Sequence, residues 1–303
     1  MIVTKIIPQG YCKGVVNALK KTLKAINDKN TKRPLYLLGM IIHNTYVCNA
    51  LEVKGVNIIK SNKTRLEMLD EIDSGTIIIS AHGTSKNVFQ KAKDKGLDII
   101  DCTCENVSKI HDDILRYIDL GYEILYIGTK NHPECEGILG ESNKIHLIDH
   151  SNMFEMLDNT KKYYITNQTT LSQEQVDRFH NNAKKYLKDI VIEDNICNAT
   201  TLRQNALYKY KADLLIVVGD IKSSNSKKLV EKGFKTNNYK QCILIENVKE
   251  LYDFNLDEFN SACVTSGAST PNIITEEVID YLLTQEKKES VINSFLMNPD
   301  VII

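Results

Sequence analysis

Asp101-Cys102-Thr103-Cys104-Glu105-Asn106-Val107-Ser108-Lys109-Ile110-His111 joins a short apolar run to a segment of helical periodicity, with Cys104 at the junction. Val107, Ile110, Ile114 and Ile118 then recur at the spacing of one helix face. Two other cysteines share this setting. Cys12 precedes Val15, Val16, Leu19, Leu23 and Ile26, and Cys197 precedes Ala199, Leu202 and Ala206. Cys104 stands 92 residues after Cys12 and 93 before Cys197. A fixed period with one cysteine per unit predicts three copies of one domain, each pointing a thiol to a common centre.

Three units of about 90 residues are of ordinary domain size, and they fit a chain of 303 residues. The expected segments are 1–103 with Cys12, 104–196, 197–283, and a C-terminal tail, 284–303, that packs on the first domain. Strand-like runs (Leu35–Leu38, Thr76–Ser80, Glu123–Ile127, Tyr163–Thr166, Asp213–Val218, Ala262–Thr265) alternate with helical stretches such as 85–95, 172–188 and 270–283. That alternation is the signature of α/β units with parallel strands.

Composition narrows the function. Apolar residues are 42% and charged residues 25% of the chain, as in a globular protein with a full core. A net charge of −1 offers no general attraction to nucleic acid or to an anionic membrane, so any anion must be bound locally. No apolar run approaches the roughly 18 residues of a spanning helix, and the first eight residues are too short and broken for a secretory signal. The expected location is the cytoplasm. Eight cysteines in that reducing setting, with no CxxC pair among them, point to ligands, nucleophiles or core thiols in place of disulfides.

Each unit carries two polar loops after its strands. The first loops surround His43, His132 and Asn225, 28 to 31 residues beyond their cysteines; the second surround His82, Thr169 and Ser269, 65 to 72 residues beyond. Ligands of open parallel sheets bind past the carboxyl ends of strands, so six such loops around three cysteines describe one enclosed pocket.

Three thiolates without a fourth equivalent cysteine suit a 4Fe-4S cluster with one iron lacking a protein ligand, a Lewis acid able to bind a substrate oxygen. Buried small hydrophobes are the bland alternative for the three cysteines. Ser223, Ser224, Asn225 and Ser269, with His43 and His82, supply donors beside predicted helix starts and favour a diphosphate held without Arg or Lys; ordinary N-caps are the alternative for the serines. Lys222 and Lys130 are the basic residues of these loop ends. Glu134 follows His132 and Pro133 at a loop-to-helix junction, where burial would make it a proton donor. A carboxylate that merely offsets the helix dipole is the alternative, a role better suited to Glu136. His111, His146, His150 and His180 fall outside the loops and read as surface or structural. Cys48, Cys242 and Cys263 read as core. Strand alternation turns Cys102 away from Cys104, and Cys135 sits beside Glu134.

These residues resemble the 4-hydroxy-3-methylbut-2-enyl diphosphate reductase family from Cys12 to about Pro271. The motifs are Gly10-Tyr11-Cys12-Lys13-Gly14-Val15, His43-Asn44, Ser80-Ala81-His82-Gly83, Asp101-Cys102-Thr103-Cys104, His132-Pro133-Glu134 with Glu136-Gly137, and Gln168-Thr169-Thr170-Leu171-Ser172. Asp194-Asn195-Ile196-Cys197-Asn198-Ala199-Thr200-Thr201, Ser223-Ser224-Asn225-Ser226 and Gly267-Ala268-Ser269 complete the set.

The resemblance implies three similar α/β domains in a pseudo-threefold trefoil around an oxygen-sensitive 4Fe-4S cluster on Cys12, Cys104 and Cys197. It implies a diphosphate held by His43, His82, Ser223, Ser224, Asn225 and Ser269. The allylic hydroxyl would meet the open iron, with His132 and Thr169 in the hydrogen-bond network and Glu134 as proton source. Two electrons, from reduced ferredoxin or flavodoxin, and two protons would remove that hydroxyl as water to give isopentenyl or dimethylallyl diphosphate, the last step of the methylerythritol phosphate route. Glu105 replaces a proline frequent after the second cysteine, and its charge near an anionic cluster predicts a lower reduction potential. Competing readings are a structural or redox-sensing iron–sulfur or zinc protein without turnover, and a cysteine–histidine hydrolase with one low-pKa thiol.

Overall fold

The computed structural model describes residues 1–61 and 63–292. Among them the strands are β1 (Ile2–Lys5), β2 (Leu35–Leu38), β3 (Val56–Ile59), β4 (Thr76–Ile79), β5 (Asp98–Asp101), β6 (Glu123–Ile127), β7 (Ile145–Ile148), β8 (Lys162–Asn167), β9 (Asp189–Ile192), β10 (Ala212–Val218), β11 (Tyr239–Ile245) and β12 (Ser261–Ser266). The helices are α1 (Lys13–Asn27), α2 (Thr45–Val53), α3 (Arg65–Met68), α4 (Lys86–Asp94), α5 (Glu105–Asp119), α6 (Pro133–Leu139), α7 (Gln173–Tyr186), α8 (Asn198–Ala206), α9 (Ser224–Thr236) and α10 (Asn272–Thr284). Every strand and helix expected from the sequence is present, with ends shifted by a residue or two.

Three four-stranded parallel sheets repeat one order: β3-β2-β4-β5, β7-β6-β8-β9 and β11-β10-β12-β1. In each the second strand of that order, β2, β6 or β10, lies inside, and the fourth is an edge. The third sheet takes that edge from the chain's start, with Ile2 opposite Ser261 and Lys5 opposite Val264. Thus β1, in the first segment by sequence, is a strand of the third sheet. Each cysteine of the repeat follows an edge strand: Cys12 after β1, Cys104 after β5 and Cys197 after β9. The burial patterns follow from this. Thr76–Ile79 of β4 is buried at every position, whereas β1 and β5 have exposed ends and half-buried middles.

Contacts divide the chain into two compact units, one of residues 1–16, 42–56 and from 198 onward, the other of residues 17–41 and 57–197. In the second unit, strand alternation separates two cores on the sheet of β6 and β8. Leu125, Ile127, Tyr163 and Ile165 face Val176 and Phe179 of α7. Ile124, Tyr126 and Tyr164 face Ile110 and Ile114 of α5 and Cys135 and Ile138 of α6. Burying each such side chain contributes about 1.5–3 kcal/mol, so α6 is held firmly over Tyr126. In the first unit Ile6, Leu207, Leu215, Val217, Leu229 and Cys263 form the corresponding core.

Cys48, Cys242 and Cys263 are buried, as expected of core thiols. The described part of the tail turns back on α10, where Glu277 accepts from Val291 N at 2.9 Å and from Ser290 Oγ at 3.1 Å. Residues 293–303, to which the expected packing of the tail on the first domain also extends, lie outside the described residues.

Candidate active site

Each cysteine of the repeat is anchored the same way. Its backbone N–H donates to a carbonyl in the loop that follows the neighbouring strand: Cys12 to Ala268 at 3.0 Å, Cys104 to Ala81 at 3.1 Å, and Cys197 to Thr169 at 2.9 Å. The acceptors are members of, or adjacent to, the polar loops that carry Ser269, His82 and Thr169. Edge strand, central strand and two loops therefore fix the cysteine beside the polar residues three times over.

None of the three cysteines is in a disulfide, all are half-buried, and each stands immediately before a helix, with Cys104 as the N-cap of α5. A helix N-terminus favours anionic groups, and Asn106 Nδ2 donates to Cys197 Sγ at 3.1 Å. Donor type and setting fit thiolate ligation of an anionic iron–sulfur cluster. Among the described residues no three His, Cys, Asp or Glu side chains gather around a single metal ion. Glu105 is the first residue of α5, as its helix-start character implied.

Cys12 owes its place to Gly10, whose φ of +73° and close approach to Asn272 exclude a side chain: a Cβ there would lie 1.7 Å from Asn272 Oδ1. Gly10 N donates to Ser266 Oγ at 2.7 Å and its carbonyl accepts from the buried Arg203 at 2.7 Å.

In the second unit His132 caps α6, its Nδ1 accepting from Glu134 N at 3.2 Å. Glu134 is 2% exposed. Its Oε1 accepts from Tyr126 Oη and from Thr169 N, both at 2.9 Å, and its Oε2 meets Thr169 Oγ1 at 2.9 Å. Burial raises the carboxyl pKa above the ordinary value, opposed by the hydrogen bonds from Thr169 and Tyr126. Glu134 is thus an enclosed carboxyl in the first turn of α6, held by three hydrogen bonds. His82 lies edge-to-face with His132, ring centres 5.7 Å apart. His82 Nδ1 is 3.3 Å from Ser80 Oγ.

In the first unit Ser223 is the N-cap of α9, accepting from Ser226 N at 3.3 Å, so the capping alternative holds for that serine. Ser269 is no cap; its hydroxyl donates to the His43 carbonyl at 2.9 Å. Ser224 is half-buried at the first position of α9. Asn225 is 5% exposed, and neither end of its carboxamide has a hydrogen-bond partner. A buried amide in that condition costs free energy until something bonds it, as an oxyanion-rich ligand would. Asp220 accepts from Thr45 N at 2.9 Å and Thr45 Oγ1 at 2.8 Å, tying the β10 loop to the start of α2 behind His43.

The LytB protein family model matches residues 3–283. The chain belongs to the LytB family. A 4-hydroxy-3-methylbut-2-enyl diphosphate reductase from Bacillus cereus is 44% identical over 286 residues, 93% of this chain and 90% of that protein. The reductase of that name from Anoxybacillus flavithermus is 42% identical over the same shares. A solved structure of the E-1-hydroxy-2-methyl-but-2-enyl-4-diphosphate reductase from Plasmodium falciparum superimposes with a TM-score of 0.84 at 31% identity, covering 99% of this chain and 98% of that one. A structure of (E)-4-hydroxy-3-methyl-but-2-enyl diphosphate reductase, described as the terminal enzyme of the non-mevalonate pathway, gives 0.65 at 27% identity over 93% and 99%. LytB membership with enzymes as relatives does not favour the sensor, zinc or hydrolase alternatives.

Some site residues escape sequence reasoning. Tyr126 reads as one more apolar position of β6, and only its hydroxyl, aimed at Glu134, distinguishes it. Arg65 is another, bonded to Ser80 of the His82 loop, while Gln168, within a quoted motif, accepts from Thr129 N through Oε1 at 3.0 Å and fixes the loop before His132. Glu136 does not balance the helix dipole alone, since Oε1 accepts from Arg65 N at 2.7 Å. Cys102 is 2% exposed beside Thr22, and burial pushes its thiol to about 11, a core position unlike Cys104. Burial and the neighbouring Glu134 also push the Cys135 thiol up. His111 and His146 pair with Glu141 and Glu123, each at 2.6 Å; His180 is buried and His150 exposed, in keeping with structural or surface roles. No helix among the described residues is long and apolar enough to cross a membrane.

Proposed function

We propose that this chain removes the allylic hydroxyl of (E)-4-hydroxy-3-methylbut-2-enyl diphosphate reductively, giving isopentenyl and dimethylallyl diphosphate. The observation that carries the reading is the buried Glu134 carboxyl locked to Thr169, in a chain of the LytB family. The reaction consumes two electrons and two protons, breaks one C–O bond, forms one C–H bond and releases one water.

Cys12, Cys104 and Cys197 would hold a 4Fe-4S cluster, which when bound supplies a Lewis-acidic iron for the hydroxyl oxygen and accepts electrons singly. The rest falls to the chain's own side chains. Oε1 of Glu134 is taken by the Tyr126 O–H and the Thr169 N–H, so the acidic hydrogen resides on Oε2. Thr169 Oγ1 donates to Oε2 at 2.9 Å when the carboxyl is ionised; with Glu134 protonated the bond reverses, which frees the threonine hydrogen for the departing hydroxyl. Thr169 thus hands a proton outward as it takes one from Glu134. His132, with Nδ1 committed to Glu134 N, offers Nε2–H as a donor. His43, His82, Ser223, Ser224, Asn225 and Ser269 would bind the diphosphate, and the unbonded Asn225 amide supports that assignment. Reduced ferredoxin or flavodoxin would deliver the electrons in the cytoplasm, where eight cysteines outside disulfides are stable.

The test is turnover under strict anaerobiosis. Protein reconstituted with iron and sulfide, given a chemically reduced electron donor and the substrate, is expected to yield both C5 diphosphates; full cluster occupancy with neither product would refute the reading.

A further inference from the structure

Arg65, the first residue of α3, is 4% exposed although it carries a permanent charge. Its Nη1 donates to the Pro133 carbonyl at 3.0 Å, and its Nη2 donates to Ser80 Oγ at 3.3 Å. The carboxylate it meets is Glu136, with Nη1 to Oε2 at 4.0 Å. The guanidinium therefore bridges the residue after His132 and the hydroxyl two residues before His82. Burial pulls its pKa down, and Glu136 resists.

The hydrogen-bond logic is directional. Arginine can only donate, so Ser80 Oγ is an acceptor toward Arg65 and must turn its own hydrogen elsewhere. His82 Nδ1 stands 3.3 Å away to receive it. Nδ1 of His82 is then an acceptor, and the hydrogen of the neutral ring belongs on Nε2. At the other end, Arg65 holds the Pro133 carbonyl at the first turn of α6, where His132 Nδ1 is an acceptor for Glu134 N. Both rings of the edge-to-face pair are in this way set to present Nε2–H.

We propose that Arg65 is a positioning residue that, through Ser80 and Pro133, fixes His82 and His132 as Nε2–H donors and places a buried positive charge behind a diphosphate-binding site. The proposal rests on the diphosphate reading given above. It accounts for how loops with so little basic character of their own hold a multiply charged anion: the charge comes from outside them, two hydrogen bonds behind the imidazole.

The experiment measures inhibition of the reconstituted enzyme by inorganic diphosphate, competing with substrate, in wild type, Arg65→Gln, Arg65→Lys and Ser80→Ala. Iron and sulfide content is measured for each, and the ¹⁵N resonances of His82 are assigned in oxidised protein. Losing charge-assisted donation should raise the inhibition constant by about tenfold or more in Arg65→Gln, with kcat reduced less than KM is raised. Arg65→Lys should recover part of that loss. Ser80→Ala keeps Arg65 in place and should still weaken diphosphate, with His82 Nδ1 moving from an acceptor shift toward a tautomeric average. Wild-type inhibition constants and an unchanged His82 spectrum in Ser80→Ala, with only thermal stability lowered in Arg65→Gln, would overturn the proposal. If Arg65→Gln does not fold, Ser80→Ala decides alone. Failure of inorganic diphosphate to inhibit the wild-type enzyme would overturn the diphosphate reading first, and this role with it.

Discussion

Thr169 is bonded twice to Glu134: its backbone N–H reaches Oε1 and its hydroxyl meets Oε2, both at 2.9 Å. The same residue's carbonyl accepts the N–H of Cys197. One loop thus joins a buried carboxyl to a cysteine of the repeat, so the positions of Glu134 and Cys197 are set through the same residue.

Glu134→Gln keeps this geometry, because an amide oxygen can take both donors at Oε1 and the NH₂ can donate to Thr169 Oγ1. Substrate should bind with a KM near that of wild type, while kcat falls by about 10²–10⁴, the usual worth of a positioned general acid. Steady-state kinetics check it; near-normal kcat would remove Glu134 from the mechanism.

The raised pKa of Glu134 also has a signature in stability. The folded state holds this proton more tightly than the unfolded chain, so the contribution is full at low pH. It is lost as pH climbs from the ordinary carboxylate value through the raised one. Glu134→Gln has no such proton to lose. The difference in urea midpoint between variant and wild type should therefore shift in favour of the variant as pH rises through that window; a constant difference would contradict the buried, neutral carboxyl.

Tyr126→Phe removes one donor from Oε1 and nothing else in the hydrogen-bond set of Glu134. A bond that favours the carboxylate is gone, so the pKa of Glu134 should rise further and the high-pH limb of the kcat profile should move upward. Stability should drop by roughly 0.5–1.5 kcal/mol, the net worth of one such bond. A downward move of that limb would show that Tyr126 acts otherwise.

Asn225→Ala tests whether the unbonded amide waits for the diphosphate. The ligand-free protein should lose no stability, since no hydrogen bond is broken. KM for the substrate should rise by roughly ten- to a hundredfold, as expected for a hydrogen bond to a charged group. A lower melting temperature with an unchanged KM would assign Asn225 to the fold alone.

Cys12→Ser, Cys104→Ser and Cys197→Ser should each lose iron and activity, whereas Cys102→Ala and Cys135→Ala, which alter buried thiols, should keep their iron. Iron and sulfide analysis separates the two groups. Loss at a single cysteine only would instead fit a thiol nucleophile.

The repeat was legible because its marks are local: a cysteine between an apolar run and a helical one, and polar loops at matched distances. The strands Thr76–Ile79 and Leu214–Val218 could be read because central parallel strands are continuously apolar. The partner of β1 could not. Four residues at an edge carry no pattern naming β12, more than 250 positions away, as their neighbour. Glu134 was legible through its place after His132 and Pro133, but Tyr126 was not, because a tyrosine on a buried strand face looks like any other core residue. Arg65 was hidden for the opposite reason, since an arginine in a polar stretch reads as solvated until the fold encloses it.

The central claim is that substrate binds at an iron held by Cys12, Cys104 and Cys197. The most direct measurement is an anaerobic Mössbauer spectrum of iron-57-enriched protein with and without 4-hydroxy-3-methylbut-2-enyl diphosphate. One iron site of a 4Fe-4S cluster should change its parameters when the substrate is added while the other three stay as they were. A reconstituted protein with no cluster, or a cluster in which no iron responds to the substrate, would contradict the account.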